Sequence, residues 1–428
     1  MGLIPIAIML ALFLLNTPIA LGIAMAALSF FLMSSGLPIS SFIQKMASST
    51  ESFPLLAVPF FIFAGTIMNH AGITRRLLGF ADALVGHTVG GLAQANVMLS
   101  ALMGGLSASA NADAAMQAKM LGTEMVRRGY SPGFTAAVCT CSAVITPIIP
   151  PGIGLILYGF LANVSVGRLF IAGIIPGLMI MVALMIAVRI TAKRRNYQPT
   201  RVKMATSREL WKAFVESLGA LSIIAFILIG IRQGIFTPTE AGAMTVVYAS
   251  LIGFFWHREL KISSFPLIII ETVLATSVVM LIICAAGAFG FYMTWEQIPS
   301  KGAALLLGVT QNPLLLLLLI NVLLLVIGML IEGTAALILL TPILVPAITK
   351  LGIDPLQFGI MMVVNLTIGG VTPPVGTLMF TSCSVLGVSV GEYMREAWLF
   401  FVALLAVLLA LVLFPSIVTF LPDLMMGK

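Results

Sequence analysis

Two short polar tips and two proline–glycine breaks hold the residues of this chain best suited to binding chemistry. The first tip is GGLSASANADAA at 104–115 and the second is IEGTAA at 331–336. The breaks are ITPIIPPGIG at 145–154 and GGVTPPVGT at 369–377. Hydroxyls of Ser107, Ser109, Thr146, Thr372 and Thr377, with carbonyls freed at the breaks, are neutral oxygen ligands. Such a set suits a hard, weakly held monovalent cation such as Na⁺. The helix N-termini created beside them suit an anionic substrate. Asn111 can cap an arm beginning at Ala112, with Asp113 complementing the dipole of its first turn, and Thr334 can cap the second arm. Glu332, at the second tip, can bind a cation or a proton, or pair with a basic residue.

These residues need elements that carry them into a bilayer, and composition supplies them. The chain has 428 residues, 60% hydrophobic and 9% charged, with a mean hydropathy of +1.14. Soluble domains carry about a quarter charged residues, so this is an all-α polytopic membrane protein whose immediate partner is the lipid bilayer. The formal charge of +7 comes from Lys and Arg in short loops between apolar runs. That is the positive-inside pattern and not a nucleic-acid surface. No Walker-type glycine loop occurs, so ATP is not expected as a cofactor. Cys139, Cys141, Cys284 and Cys383 lie in apolar runs, and His70, His87 and His257 near span ends, all without metal-ligand spacing. The first 20 residues lack a basic n-region and read as a retained helix.

Ten spans are expected, near 2–15, 18–35, 54–69, 131–158, 168–192, 217–233, 238–256, 266–293, 355–386 and 392–421. Between them, 89–128 and 312–350 each read as an apolar arm, a polar tip and a second arm. Arms of about 15 residues in the first segment reach only about 22 Å, short of the hydrocarbon thickness. A re-entrant hairpin fits this better than two full spans, and Asp113, Gln117, Lys119 and Glu124 argue against lipid exposure of its second arm. With the loop KRRNYQPTRVK (193–203) in the cytoplasm, about 15 of the 22 basic residues fall on that side and both termini fall outside.

The sequence also repeats. TPIALG at 17–22 answers TPTEAG at 237–242, Gly105 answers Gly328, and GYSP at 129–132 answers GIDP at 352–355. PPGIG at 150–154 answers PPVGT at 373–377, and VSVG occurs at 164–167 and 388–391, all at offsets between 220 and 224. Each half holds five transmembrane helices plus one re-entrant hairpin. Five is odd, so the second half sits upside down: two inverted-topology repeats, with sites expected where broken helices meet near the midplane. A channel lacks a ring-forming selectivity motif here. An intramembrane enzyme lacks a His or Lys base placed to serve Ser107 or Ser109.

The runs GGLSASANADAA, RRGYSPGF, ITPIIPPGIG, LTPILVPAITKLGIDPLQFG and NLTIGGVTPPVG together resemble the large membrane subunit of tripartite ATP-independent periplasmic (TRAP) transporters, over essentially the whole chain. The resemblance implies a Na⁺-coupled importer of a carboxylate-bearing substrate, such as sialic acid, another sugar acid or a C4-dicarboxylate. It implies a bacterial inner membrane, an elevator mechanism, a small four-helix membrane subunit and a periplasmic substrate-binding protein. Scaffold helices would occupy 1–85 and 197–308, and the moving domain 86–196 and 309–428. One Na⁺ site would lie at Ser107, Ser109, Asn111, Thr146 and Pro147, the other at Gly333, Thr334, Gly370 and Thr372. Substrate would meet Ser107, Asn111, Pro150, Gly152, Glu332, Pro374, Gly376 and Thr377. The alternative is a self-sufficient Na⁺/dicarboxylate symporter that needs no binding protein.

Overall fold

The computed structural model describes residues 2–15, 17–34, 36–104 and 109–427. The described chain is helical throughout, as a backbone in hydrocarbon must be if it is to satisfy its own N–H and C=O groups. Seven described helices are long and apolar enough to cross a membrane, among them Val166–Arg194, Ser207–Arg232 and Val390–Leu413. Two more of the seven, Pro313–Leu330 and Gly333–Lys350, are the arms of the second hairpin. At 18 residues each they reach about 27 Å, so length alone does not make the second hairpin re-entrant.

Both expected breaks are present. The 131–158 span divides into Pro132–Ser142 and Ile153–Ala162, and the 355–386 span into Pro355–Val371 and Thr377–Leu386. Three helices were not legible as spans: Ser40–Ser48, Ile73–Val85 and Ile298–Val309. Ile73–Val85 shows why. It buries Ile73, Leu77, Ala81 and Val85 on one face while exposing charge at Arg75, so it is amphipathic and too short to cross.

The two halves correspond cap by cap. Helices begin behind Ser131 and Asp354, and behind Ser165 and Ser389, 223 and 224 residues apart. Asn163 and Gly387 end matching helices in the left-handed conformation, and the Pro150–Pro151 and Pro373–Pro374 peptides are both cis. Two ion pairs give the relative direction of the matching helices Val166–Arg194 and Val390–Leu413. Arg195, just past the end of the first, pairs with Glu396 near the start of the second at 2.7 Å. Arg168, near the start of the first, pairs with Asp423 beyond the end of the second at 2.5 Å. The matching helices therefore run antiparallel, as inverted halves require.

The halves also interlock. The returning arm of the first hairpin (Ala110–Gln117) packs on Thr377–Leu386 of the other half, and Gly333–Lys350 packs on Ile153–Ala162. Each outgoing arm instead packs on its own half's pre-break helix, Gly91–Met103 on Pro132–Ser142 and Pro313–Leu330 on Pro355–Val371. Tips and breaks are thereby drawn into one region. Close backbone approach makes the second contact possible, because a Cβ on Gly369 would lie 2.5 Å from the carbonyl carbon of Gly328. Association of helices in a bilayer relies on this kind of small-residue packing, since lipid is as apolar as leucine.

Gly369→Ala is therefore expected to destabilise the fold by about 1–3 kcal/mol through overpacking. Gly308, whose added Cβ would meet nothing within 4 Å, serves as the control. Thermal unfolding of the detergent-purified variants, followed by tryptophan fluorescence, should show a lower midpoint for Gly369→Ala only.

Candidate functional site

At the first tip the helix begins at Ala110, two residues earlier than the sequence suggests. Its cap is Ser109, in extended conformation, whose Oγ accepts from the Ala112 N–H at 3.4 Å. Asn111 is thus not the cap. It lies inside the first turn, and its Oδ1 is buried with no hydrogen-bond partner among the described residues. The second tip is corrected in the same way. Glu332, not Thr334, caps Gly333–Lys350: Oε2 accepts from the Ala335 N–H at 3.1 Å, and Thr334 Oγ1 donates to Oε1 at 2.9 Å. The carboxylate of Glu332 folds over the positive end of its own helix.

Behind the first tip lies a buried polar network that the sequence did not reveal. Asp113 is 1% exposed, and its Oδ2 accepts from Thr146 Oγ1 at 2.6 Å and from Gln117 Nε2 at 2.7 Å. Gln117 Nε2 also donates to Ser100 Oγ, while its Oε1 accepts from Asn96 Nδ2 and Ser142 Oγ at 2.7 and 2.8 Å. Both arms of the hairpin are thereby bonded to the pre-break helix and to the break itself. The signal was the spacing: Asn96 and Ser100, like Asp113 and Gln117, stand four apart and share a helix face. In the second half, Asn365 Nδ2 donates to Asn321 Oδ1 at 2.7 Å, and no carboxylate takes part. Thr372 donates to the carbonyls of Ile368 and Gly369, so its hydroxyl hydrogen is spent on its own helix.

The tips and breaks open on a cavity of about 630 Å³. Of the residues singled out in the sequence, Ser109, Asn111, Pro147, Glu332, Gly333, Thr334, Gly370 and Thr377 line it. Thr146, Thr372, Pro150, Gly152, Pro374 and Gly376 do not. Thr146 is turned to Asp113, and Gly152 is packed so that a Cβ would lie 2.0 Å from the Pro147 carbonyl oxygen. Gly376 donates its N–H to the Met329 carbonyl, and Pro374 faces outward, exposed. Ser107 and Gly105 lie outside the described residues.

Four helices of the tips and breaks present their first residues to this cavity, Ala110–Gln117, Ile153–Ala162, Gly333–Lys350 and Thr377–Leu386, and Ile19–Met33 does so from outside them. Each N-terminus carries roughly half a positive elementary charge on unpaired N–H groups. No Lys, Arg or His side chain lines the cavity among the described residues. The described residues also contain no cluster of three or more His, Cys, Asp or Glu able to hold a metal ion. The lining therefore combines backbone donors and dipole ends suited to an anion with hydroxyl, amide and carboxylate oxygens, the last from Glu332.

Residues 6–417 match the family model described as "Tripartite ATP-independent periplasmic transporter, DctM component". The sialic acid TRAP transporter large permease protein SiaM of Vibrio cholerae is 38% identical over 410 residues, 96% of this chain and 96% of that protein. The isethionate TRAP transporter permease protein DctMQ of Oleidesulfovibrio alaskensis is 39% identical over 411 residues. That match covers 96% of this chain but 65% of the longer relative. Among solved structures, the YdaH transporter of Alcanivorax borkumensis shares the fold, with a TM-score of 0.65 at 14% identity over 96% of this chain and 98% of that one.

The buried network supplies its own test. Gln117→Leu removes four side-chain bonds at once and leaves Asp113 and Asn96 short of partners in a dry interior. A loss of about 2–4 kcal/mol is expected, since each orphaned buried group costs roughly 1–3 kcal/mol. Lys119→Ala, on the exposed side of the same arm, should leave the thermal midpoint and the folded yield unchanged.

Proposed function

The chain belongs to the tripartite ATP-independent periplasmic transporter family as a DctM component, and on that premise we propose that it is the Na⁺-coupled transporting subunit of a binding-protein-dependent importer. Its apolar helices and its permease relatives make it a multi-pass protein of a bacterial inner membrane. The substrate in this reading is a small carboxylate-bearing anion, with sialic acid, another sugar acid or a C4-dicarboxylate as the candidates. Convergence of the four helix N-termini of the tips and breaks on one cavity, with no basic side chain lining it among the described residues, is the observation that carries it.

The cations sit beside the tips in this reading. Asn111 Oδ1, buried and unpartnered among the described residues, is an acceptor in want of a positive charge. Ser109 and the region of Pro147 complete the first site, with Ser107 and Thr146 close in sequence to them. Gly333, Thr334 and Gly370, which line the cavity, form the second, with Thr372 beside them at the break and its hydroxyl oxygen left only as an acceptor. Na⁺ bound at the tips offsets the substrate's charge, so cation and anion favour each other's binding by ordinary linkage. Hairpins and broken helices (86–196 and 309–428) then move as one body against 1–85 and 197–308, an elevator. Interlocking of the two halves through their hairpin arms supports a single moving body.

A small four-helix membrane subunit and a periplasmic substrate-binding protein complete the assembly, with both termini of this chain periplasmic. Enzymatic activity has no place in this reading, because the relatives are transporter permeases.

Uptake of labelled sialic acid, isethionate and succinate into proteoliposomes tests the proposal. Uptake should require an inward Na⁺ gradient, the small subunit and the matching binding protein. Unchanged uptake with choline in place of Na⁺ overturns the coupling, and uptake without the binding protein points to a self-sufficient symporter. Asn111→Ala should raise the half-saturating Na⁺ concentration about tenfold, the worth of one bond to a charged group. Ser109→Ala is the less clean variant, because it also removes a helix cap.

A further inference from the structure

The cavity has a second wall, built by helices outside the tips and breaks. Ile19 and Ala20 begin one of them, Ala57–His70 contributes Thr66 and Asn69, and Phe265–Trp295 contributes residues at 275–282. This wall is apolar apart from Thr66 and Asn69. Thr66 Oγ1 donates to the Ile62 carbonyl at 3.0 Å, which leaves it only acceptor capacity. Asn69 is oriented the other way. Its Oδ1 lies 3.4 Å from Thr74 Oγ1, and its NH₂ supplies two donors that a ligand in the cavity can meet. On this wall, among the described residues, Asn69 is the one side chain with donors for an anion.

Its position along the membrane normal is also legible. Asn69 is followed by His70, whose Nε2 lies 2.9 Å from Glu271 and ties this helix end to the start of Phe265–Trp295. Arg75 and Arg76 come next, both paired with Glu259 at 2.7 Å. This basic edge is the cytoplasmic one by the distribution of Lys and Arg. Pro18, at the start of the following helix in the same threading, lines the cavity from that side too.

We propose that Asn69 is a substrate contact supplied by the stationary wall, made only while the site faces the cytoplasm. The inference rests on the elevator reading above. A donor fixed to the wall stays behind when the tips move. It then tunes affinity for the anion on the release side and leaves affinity on the capture side alone. Such a residue sets how readily a given anion leaves, and so contributes to selectivity without belonging to the moving site.

The test uses the full chain with its small subunit, reconstituted in both orientations, and labelled sialic acid, isethionate and succinate as probes. Asn69→Ala should weaken the apparent affinity measured from the cytoplasmic face about tenfold, the value of one lost bond to a charged group. The affinity measured from the periplasmic face, with binding protein, should stay within about twofold by the same reckoning. Asn69→Asp should weaken the cytoplasmic-face affinity further, because it sets a carboxylate against an anion. Asn69→Gln, which keeps the NH₂, should recover part of the loss. Equal effects on both faces, or none on either, overturn the inference while the transport reading stands. Failure of the unsubstituted protein to carry sialic acid or succinate, including transport of the sulfonate isethionate alone, overturns the carboxylate reading on which the inference rests. Thermal midpoints within a degree or two of the parent distinguish a lost contact from a misfolded variant.

Discussion

A helix that stops inside a bilayer leaves four N–H or four C=O groups without partners, and lipid supplies none. The site of this protein is an answer to that constraint. Four helices of the tips and breaks begin at its central cavity, and their beginnings are tolerable only because protein surrounds them. Ser109 and Glu332 cap two of them with side-chain oxygens. Elsewhere backbone serves: Val375 and Gly376, in the second break, donate to the Met329 carbonyl at the end of an outgoing arm. Interlocking of the halves follows from the same need, since each returning arm is sheltered by a post-break helix from the other half. Of the buried side-chain atoms left without a partner among the described residues, Asn111 Oδ1 belongs to a residue that lines the cavity.

The two halves solve the problem with different materials. At matching positions, 223 residues apart, the first has Ser109, Asn111, Asp113 and Thr146 where the second has Glu332, Thr334, Ala336 and Gly369. The first half holds its hairpin by a buried hydrogen-bonded network centred on Gln117 and Asp113. The second holds it by direct backbone packing of Gly328 on Gly369, with a shorter Asn321–Asn365 link. A polar network fixes geometry only if every member is satisfied, and it fails badly when one is lost. Glycine packing fixes distance and is indifferent to hydrogen bonding. The two tips therefore present different chemistry to one cavity, despite a shared architecture.

Much of this was legible in the sequence. Pro147, Pro150 and Pro151 with Gly152, and Pro373 and Pro374 with Gly376, mark the breaks because local residue types break helices locally. The constant offset between the halves announced the repeat, and the helical caps keep it to within a residue. The caps themselves were misassigned. A helix start can slide by one or two residues among several good cappers, and SASAN offers several, of which Ser109 caps the described helix. Glu332 as a cap was hidden by the stronger expectation for Thr at that place. The network was invisible for another reason: Asn96, Gln117 and Ser142 come from three helices, and only packing decides that they meet. Ile73–Val85 was missed because its polar face kept it from reading as a span.

Among the described residues no basic side chain lines the cavity, and this bears on how such a site can work. An arginine would hold an anion by a full charge in every conformation and in the absence of any cation. Dipole ends act only within about a turn of the helix, and here each contributes roughly half a charge. Four of them approach two charges before any screening, enough to favour one small anion without trapping it. Glu332, lying across one of these ends, subtracts from that sum. The deficit makes occupation of the tips by a cation the natural complement to the anion. In the proposed mechanism this arrangement couples the two ligands, because neither finds its charge balanced without the other. In that mechanism a fixed guanidinium would relieve the deficit and remove the need for a coupled cation.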